Sequence, residues 1–528
     1  MATCVWSRFA RSGCRLGIRS YKKSLKRGYC SSQNDISSIS LAQPVPGIPT
    51  PQYASLGQMK HESHVTVLEN GLTVATENKF GHFCTVGVVI DSGSRYEVAC
   101  PSGISHFLEK LAFSSTTQFE NRDAILQELE KHGGICDCQG SRDTLIYAIS
   151  AETKGLASVI NILSEVVLHS NITHEELEDT RSAIGFELES LELNPNPEML
   201  LMEMVHAAAF RDNTLGLPKF CPPENIETVD KLTLLRYLKN YHSPQRMVLA
   251  GVGMEHNVLV DLARQCFVEK KSPLWLEDGS VVDRSEQCDH SVSQYTGGMV
   301  HVEKDLSNVS LGPTPMPELA HFVIGLESCS HKDDDFVAFC VLNMMMGGGG
   351  SFSAGGPGKG MYTRLYLNVL NRYHWIHNAT AYNHAYEDSG LFCIHSSAHP
   401  DQMKELVEVI VRELVNTSNQ ISTDELNRAK TQLQSMLLMN LESRPVVFED
   451  LGRQVLANKE RKQPEYFYHL IGEITEEDIK RVANRMLQSP PSVAAYGSLS
   501  KMPNFEDIQS ALVSRDGRMP KRFSLFRN

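Results

Sequence analysis

Pro101-Ser102-Gly103-Ile104-Ser105-His106-Phe107-Leu108-Glu109-Lys110-Leu111-Ala112-Phe113 is the stretch on which the reading of this chain turns. Ile104, Phe107, Leu108 and Leu111 fall at i, i+3, i+4 and i+7, the spacing of an amphipathic helix with one buried face. His106, Glu109 and Lys110 are three and four residues apart and share another face of that helix. The pattern His-x-x-Glu-Lys departs in its last position from His-x-x-Glu-His, in which two imidazoles hold zinc and the carboxylate between them acts as base. An ammonium has three donors and no lone pair, so Lys110 cannot ligate a cation. A catalytic zinc takes three protein ligands and a water. Glu187, in Phe186-Glu187-Leu188-Glu189, lies on a later predicted helix suited to face the first. His106 and Glu187 make two ligands at most. Lys110 is expected to pair with Glu109 or Glu187 and to stand where a metal would sit, so no metal is expected in this chain. The plainer reading of the same triplet is a surface helix with a histidine and an ion pair.

Around this stretch the chain reads as mixed α and β. His64–Leu68 and Leu72–Ala75 flank Glu69-Asn70-Gly71, the signature of a hairpin with an Asn-Gly turn; Thr85–Ile90 reads as a buried strand. Two later segments run in the same order. Leu145–Ser150 is a strand followed by a helical stretch and Ile172-Thr173-His174-Glu175-Glu176-Leu177. About 250 residues on, Leu391–Ser396 is followed by a helical stretch and Ile421-Ser422-Thr423-Asp424-Glu425-Leu426. Thr173 with Glu176, and Ser422 with Glu425, are spaced as capping boxes. Thr85–Ile90 with Asp91-Ser92-Gly93-Ser94 is echoed by His321–Leu326 with Glu327-Ser328-Cys329-Ser330. Three echoes in one order favour a duplication. Strands and helices do not alternate strictly, so the class is α+β. The boundaries expected are 61–280 for the first half, 281–300 for a polar linker and 301–528 for the second half.

The 528 residues carry a formal net charge of -13, unevenly spread. Residues 1–34 hold Arg8, Arg11, Arg15, Arg19, Lys22, Lys23, Lys26 and Arg27 and no acid. A basic, Ser-containing, acid-free start is the composition of a mitochondrial transit peptide; a basic tail for nucleic acid or lipid is the alternative. Cleavage is expected near Tyr29–Ser31. Removing eight positive charges moves the formal charge from -13 to -21, which favours basic partners. Residues 35–60, with Pro44, Pro46, Pro49 and Pro51, read as an extended arm. No run of 18 apolar residues suggests a membrane span. The 13 cysteines show no framework spacing and are expected to be free thiols of a reducing compartment.

Gly347-Gly348-Gly349-Gly350-Ser351-Phe352-Ser353-Ala354-Gly355-Gly356-Pro357-Gly358-Lys359-Gly360 lies between apolar Val341–Met346 and helix-like Met361–Tyr366. It is not a phosphate loop, because Ser353 stands where the first glycine belongs and Gly360 follows Lys359. Nor is it a dinucleotide motif, since Gly348-x-Gly350 is followed by Ser353. So many glycines cost backbone entropy when ordered. The segment reads as a functional loop whose backbone can pair with an extended peptide, a disordered linker being the plainer alternative.

Ser102–Phe113, the loop Gly347–Gly360, Asn440-Leu441-Glu442-Ser443-Arg444-Pro445 and Phe448-Glu449-Asp450 together resemble the pitrilysin-like, inverted-zinc-motif peptidase family. Within that family they resemble the non-catalytic α-type subunits of the mitochondrial processing peptidase, from about residue 60 to the C-terminus. The resemblance implies two homologous α/β-roll halves enclosing a cavity. It implies a heterodimer whose β-subunit holds the zinc and cuts presequences from imported precursors, while this chain recognises them without being an enzyme on its own. On the family's motif the first His maps to His106, the base to Glu109, the second His to Lys110 and the Glu ligand to Glu187. The glycine-rich loop, with Glu442 and Glu449 as an acidic wall on one predicted helix, would bind the basic presequence. The location implied is the mitochondrial matrix, with peripheral contact to the inner membrane at most. Two other readings stand beside it: a structural core subunit of the cytochrome bc1 complex, and an autonomous metallopeptidase that takes a ligand from elsewhere, such as His132.

Overall fold

The computed structural model describes residues 62–520 other than 80, 194–195, 271, 278–290, 307–317, 351–359, 420 and 515. The expected transit segment, the extended arm and the first part of the linker lie outside the described residues. From Ser63 onward the chain forms one compact unit. The hairpin read from Asn70-Gly71 is present as β1 (Ser63–Val67) and β2 (Thr73–Glu77). Gly71 turns it with a φ of +92°, in the left-handed region that glycine adopts without strain.

Ten more strands follow: β3 (Phe83–Ile90), β4 (Ile135–Gly140), β5 (Leu145–Glu152), β6 (Met247–Val252), β7 (Gly298–Glu303), β8 (Ala320–Glu327), β9 (Gly348–Gly350), β10 (Ile376–Ala385), β11 (Gly390–Ala398) and β12 (Ser492–Gly497). They build two six-stranded sheets, β1-β2-β6-β3-β5-β4 and β7-β12-β8-β11-β10-β9. Setting aside β1 from one and β9 from the other leaves β2-β6-β3-β5-β4 and β7-β12-β8-β11-β10. In both sets the first pair is parallel and the rest antiparallel. The duplication read from sequence is therefore a duplication of sheet topology, and the α+β class holds.

Eight helices position what matters: α1 (Ile104–Leu111), α2 (Leu156–Leu168), α3 (His174–Leu193), α4 (Pro197–Phe210), α5 (Phe336–Met346), α6 (Met403–Asn416), α7 (Thr423–Asn440) and α8 (Arg444–Asn458). One face of the first sheet buries Val86, Val88 and Ile90 against α1 and α2, through Phe107, Leu108, Ile160 and Leu163. One face of the second packs Phe322, Ile324 and Ile394 against α5 and α6. The opposite faces are covered reciprocally. Leu201, Val205 and Ala209 of α4, from the first half of the chain, pack on Val323, Leu391 and Ala494 of the second sheet. Val447, Phe448, Leu451 and Val455 of α8, from the second half, pack on Val89, Ile146, Val248 and Ala250 of the first. Each Val, Leu, Ile or Phe among them contributes about 1.5–3 kcal/mol of gross burial energy. Gly452 permits the approach of α8, because a Cβ there would lie 2.5 Å from Val89 Cγ2.

Buried ion pairs pin this exchange. Arg95, 5% exposed, donates to Asp143 and Asp388, the turn residues of β4–β5 and β10–β11, at 2.9 and 2.6 Å. Arg461 joins Glu77 of β2 to Asp450 of α8. The halves are thus interlocked in space even though they are consecutive in sequence.

Three local expectations need correction. The Thr173 capping box forms, with Glu176 N–H donating to Thr173 Oγ1 at 3.2 Å and Thr173 N–H to Glu176 Oε2 at 2.9 Å. The Ser422 box does not form. Ser422 makes no side-chain cap bond, and Glu425 Oε1 instead accepts from Arg364 Nε at 2.5 Å. Glu442 and Glu449 do not share a helix, because Leu441–Ser443 is a break between α7 and α8. Helix after the glycine-rich stretch begins at Leu365 rather than at Met361. All nine cysteines among the described residues are free, as expected.

Candidate functional site: the motif corner

The corner is set up from below α1. Glu97, 1% exposed, accepts from Gly103 N–H and Ser105 N–H, both at 2.6 Å, and so caps the N-terminus of α1. Burial pushes its carboxyl up to about 7, against the downward pull of those Ser105 and Gly103 bonds. Gly103 opens the helix with φ +112°, and a Cβ there would meet Cys221 Sγ at 2.5 Å. The apolar face of α1 is then buried through Ile104, Phe107, Leu108 and Leu111.

The face expected to carry chemistry meets α3. Lys110 Nζ lies 2.6 Å from Glu187 Oε2, and His106 Nε2 lies 3.4 Å from the same oxygen. These two partners, His106 first, hold the Glu187 carboxyl down at about 2 against partial desolvation. Of the two pairings open to Lys110, the structure selects Glu187. Glu109 turns to the end of β4, where its Oε2 accepts from Gly140 N–H at 2.9 Å; Lys219 Nζ is 4.0 Å away.

His106 is 3% exposed and packs edge-on against Phe220. Its Nδ1 accepts from Cys221 N–H at 3.3 Å, so the neutral ring carries its proton on Nε2, facing Glu187. A zinc-binding histidine needs a bare nitrogen toward the metal and usually donates from the other. The donor set does not fit zinc. It offers His106 in the opposing tautomer, one carboxylate, and an ammonium in the remaining position. His132 is packed against Gly155 rather than brought to His106. Among the described residues no group of three His, Cys, Asp or Glu could hold a metal.

The second candidate region is partly described. Gly347, Gly348 and Gly349 have φ of +56°, +102° and +156°, and Gly348–Gly350 form β9 against Thr380, Ala379 and Asn378 of β10. Ser351, Phe352, Ser353, Ala354, Gly355, Gly356, Pro357, Gly358 and Lys359 lie outside the described residues. Gly360 resumes with φ +90°, and its carbonyl accepts from Thr363 Oγ1 at 2.8 Å. Arg364 is then anchored by Glu425 and by Asn416 O. Of the two acids, Glu442 is exposed, and Glu449 is neutralised by Arg453 at 2.9 Å.

Glu97, Cys221 and Arg364 carry no motif of their own. Only their partners, distant in sequence, give them a role.

A doubled α+β unit with a helix-borne His-x-x-Glu corner defines a class, the M16 metallopeptidase fold. The family described as Insulinase (Peptidase family M16) matches residues 73–223, and that described as Peptidase M16 inactive domain matches residues 228–433. The chain is 57% identical over 520 residues to the mitochondrial-processing peptidase subunit alpha of Bos taurus, covering 98% of this chain and 97% of that one. It is 58% identical over 498 residues to the human subunit alpha, covering 94% of each. The Caenorhabditis elegans subunit alpha is 43% identical over 462 residues, 87% of this chain and 89% of that one. The chain belongs to the M16 peptidase family and, within it, to the mitochondrial-processing peptidase α-subunits.

Proposed function

We propose that this chain is the non-catalytic, presequence-recognising member of a mitochondrial heterodimer. Its β partner would hold zinc and cut N-terminal presequences from imported precursors. The observation that supports this reading is the Lys110–Glu187 ion pair at 2.6 Å, which sets an ammonium beside His106 on the motif face of α1. Glycine-rich β9 and its continuation to Gly360 would engage the substrate backbone. Glu442 and the partly neutralised Glu449 contribute negative potential to a chain whose formal charge is already -13. The location that goes with this role is the matrix; no helix among the described residues is long and apolar enough to cross a membrane. A structural role in the cytochrome bc1 complex finds no support in the relatives above.

The test is co-expression with a β-subunit and cleavage of a matrix precursor. The chain alone should neither cleave nor hold stoichiometric zinc, and the pair should do both. Shortening Gly347–Gly360 should slow cleavage and leave association intact. Tight zinc with His106 as ligand would overturn the reading.

A further inference from the structure

α3 buries Leu177, Thr180 and Ile184 on one side and turns Glu187 to α1. Its outer side stays open. Glu175, Asp179, Ser182, Phe186, Glu189 and Leu193 are all exposed. They follow one another at alternating intervals of four and three, so they form one stripe with the spacing of a seam between packed helices. The helix has 20 residues and is about 30 Å long.

We propose that this stripe docks a basic amphipathic helix, the helical form of the presequence. The inference rests on the recognition role proposed above and gives that role a surface in the first half.

Three observations support it. First, the stripe carries large apolar side chains that cover nothing of this chain. Phe186 and Leu193 are each 70% exposed, and both gain by burial against an apolar partner.

Second, the charge along the stripe has one sign. Glu175, Asp179 and Glu189 have no ion-pair partner among the described residues, whereas Glu178 beside them is held by Arg181. The cations next to α3 are already engaged. Arg181 also donates to Ile226 O and Val229 O, Lys110 pairs with Glu187, and Lys304 donates to Glu192 O at 3.1 Å. An apolar strip edged by unpaired carboxylates is the complement of one edged by lysine and arginine, and like charge disfavours a second copy of itself.

Third, Gly185 stands in the middle of α3, where glycine is among the least favourable residues. Its φ is not positive, and a Cβ there would meet nothing within 4 Å, so this chain's own packing does not call for it. Beside Phe186 it leaves room for another backbone to approach closely.

The basic segment of this sequence shows the ligand pattern. Ile18, Tyr21 and Leu25 are spaced i, i+3 and i+7, with Arg15, Arg19, Lys22, Lys23, Lys26 and Arg27 around them and no acid.

The test uses the full chain assembled with its β partner and a fluorescent peptide of residues 15–27. Phe186→Ala and Leu193→Ala should each weaken peptide binding by about tenfold. Asp179→Lys and Glu189→Lys should weaken it at low salt, with the difference shrinking as salt rises. All four positions are exposed, so folding and β association should match wild type. Gly185→Leu should raise the unfolding temperature, leucine being the better helix former, and still weaken the peptide. Ser20→Pro in the peptide breaks a helix without removing an apolar or charged group and should cost about 100-fold. Binding indifferent to the α3 variants, or tolerant of Ser20→Pro, overturns the helix-docking face and leaves the recognition role standing. Loss of β association in the α3 variants also overturns it, by making the face a subunit contact. A wild-type assembly that does not bind the peptide overturns both.

Discussion

The starts of α3 and α7 are the same element used twice, and their difference shows how a duplicated frame is divided between tasks. At α3 the box closes, and Glu176 Oε1 also accepts from Ser115 N–H at 2.7 Å. Thr173 and Glu176 satisfy each other, and about three turns further along the same helix presents Glu187 to α1. At α7 the glutamate is taken away. Glu425 holds Arg364, just past the glycine-rich segment, and Ser422 is left without a side-chain cap bond. One half uses the element to pack the motif corner, and the other uses it to anchor a loop.

The largest effect expected from breaking this contrast is at Arg364, 8% exposed. Arg364→Ala strands the Glu425 carboxylate and should cost about 3–5 kcal/mol in thermal or denaturant unfolding, as for one partner of a buried pair. Thr173→Ala should cost about 1 kcal/mol, the usual loss of an N-cap, whereas Ser422→Ala should change stability by less than about 0.5 kcal/mol. Equal costs for the two caps would remove the contrast.

Smaller still is Lys110→Met. Lys110 and Glu187 are each about a third exposed, so the pair is worth roughly 1 kcal/mol or less. The sign of its pH dependence is fixed. The Glu187 carboxyl is depressed from its ordinary 4.5 to about 2, so its pairing stabilises the fold above pH 4.5. That stabilisation fades as pH falls toward 2. Wild type and Lys110→Met should therefore differ in unfolding at pH 6 and converge near pH 2, and the carboxyl's own titration, followed by NMR, should move upward in the variant.

The contrast also marks what the sequence could carry. The motif helix, the Asn-Gly hairpin and the strands at Thr85–Ile90, Leu145–Ser150, His321–Leu326 and Leu391–Ser396 were legible because their signals are local: apolar spacing of 3.6 or 2, and turn residues at fixed offsets. The failed Ser422 box has the right spacing and loses to Arg364, 61 residues away from Glu425. The break at Leu441–Ser443 is marked only by Pro445 in the first turn of α8, a start signal that lies between Glu442 and Glu449. Crossing helix α4 is apolar around much of its circumference and gives little periodic signal, so its placement on the other half's sheet was not readable. β9 has no side chains to show a strand pattern. The site was half legible. His106, Glu109, Lys110 and Glu187 were placed by motif spacing, but Glu97 beneath them and the Cys221 N–H that sets the His106 tautomer are contacts of the fold alone.

The central claim is that this corner keeps the shape of a catalytic site and none of its chemistry. Glu109→Gln in the assembled heterodimer tests it most directly. The amide oxygen of the new side chain can still accept from Gly140 N–H, so the fold is preserved, while any general base at this position is lost. The account predicts precursor cleavage within about twofold of wild type. A fall of about 100-fold or more, the scale on which a general base acts, would contradict it.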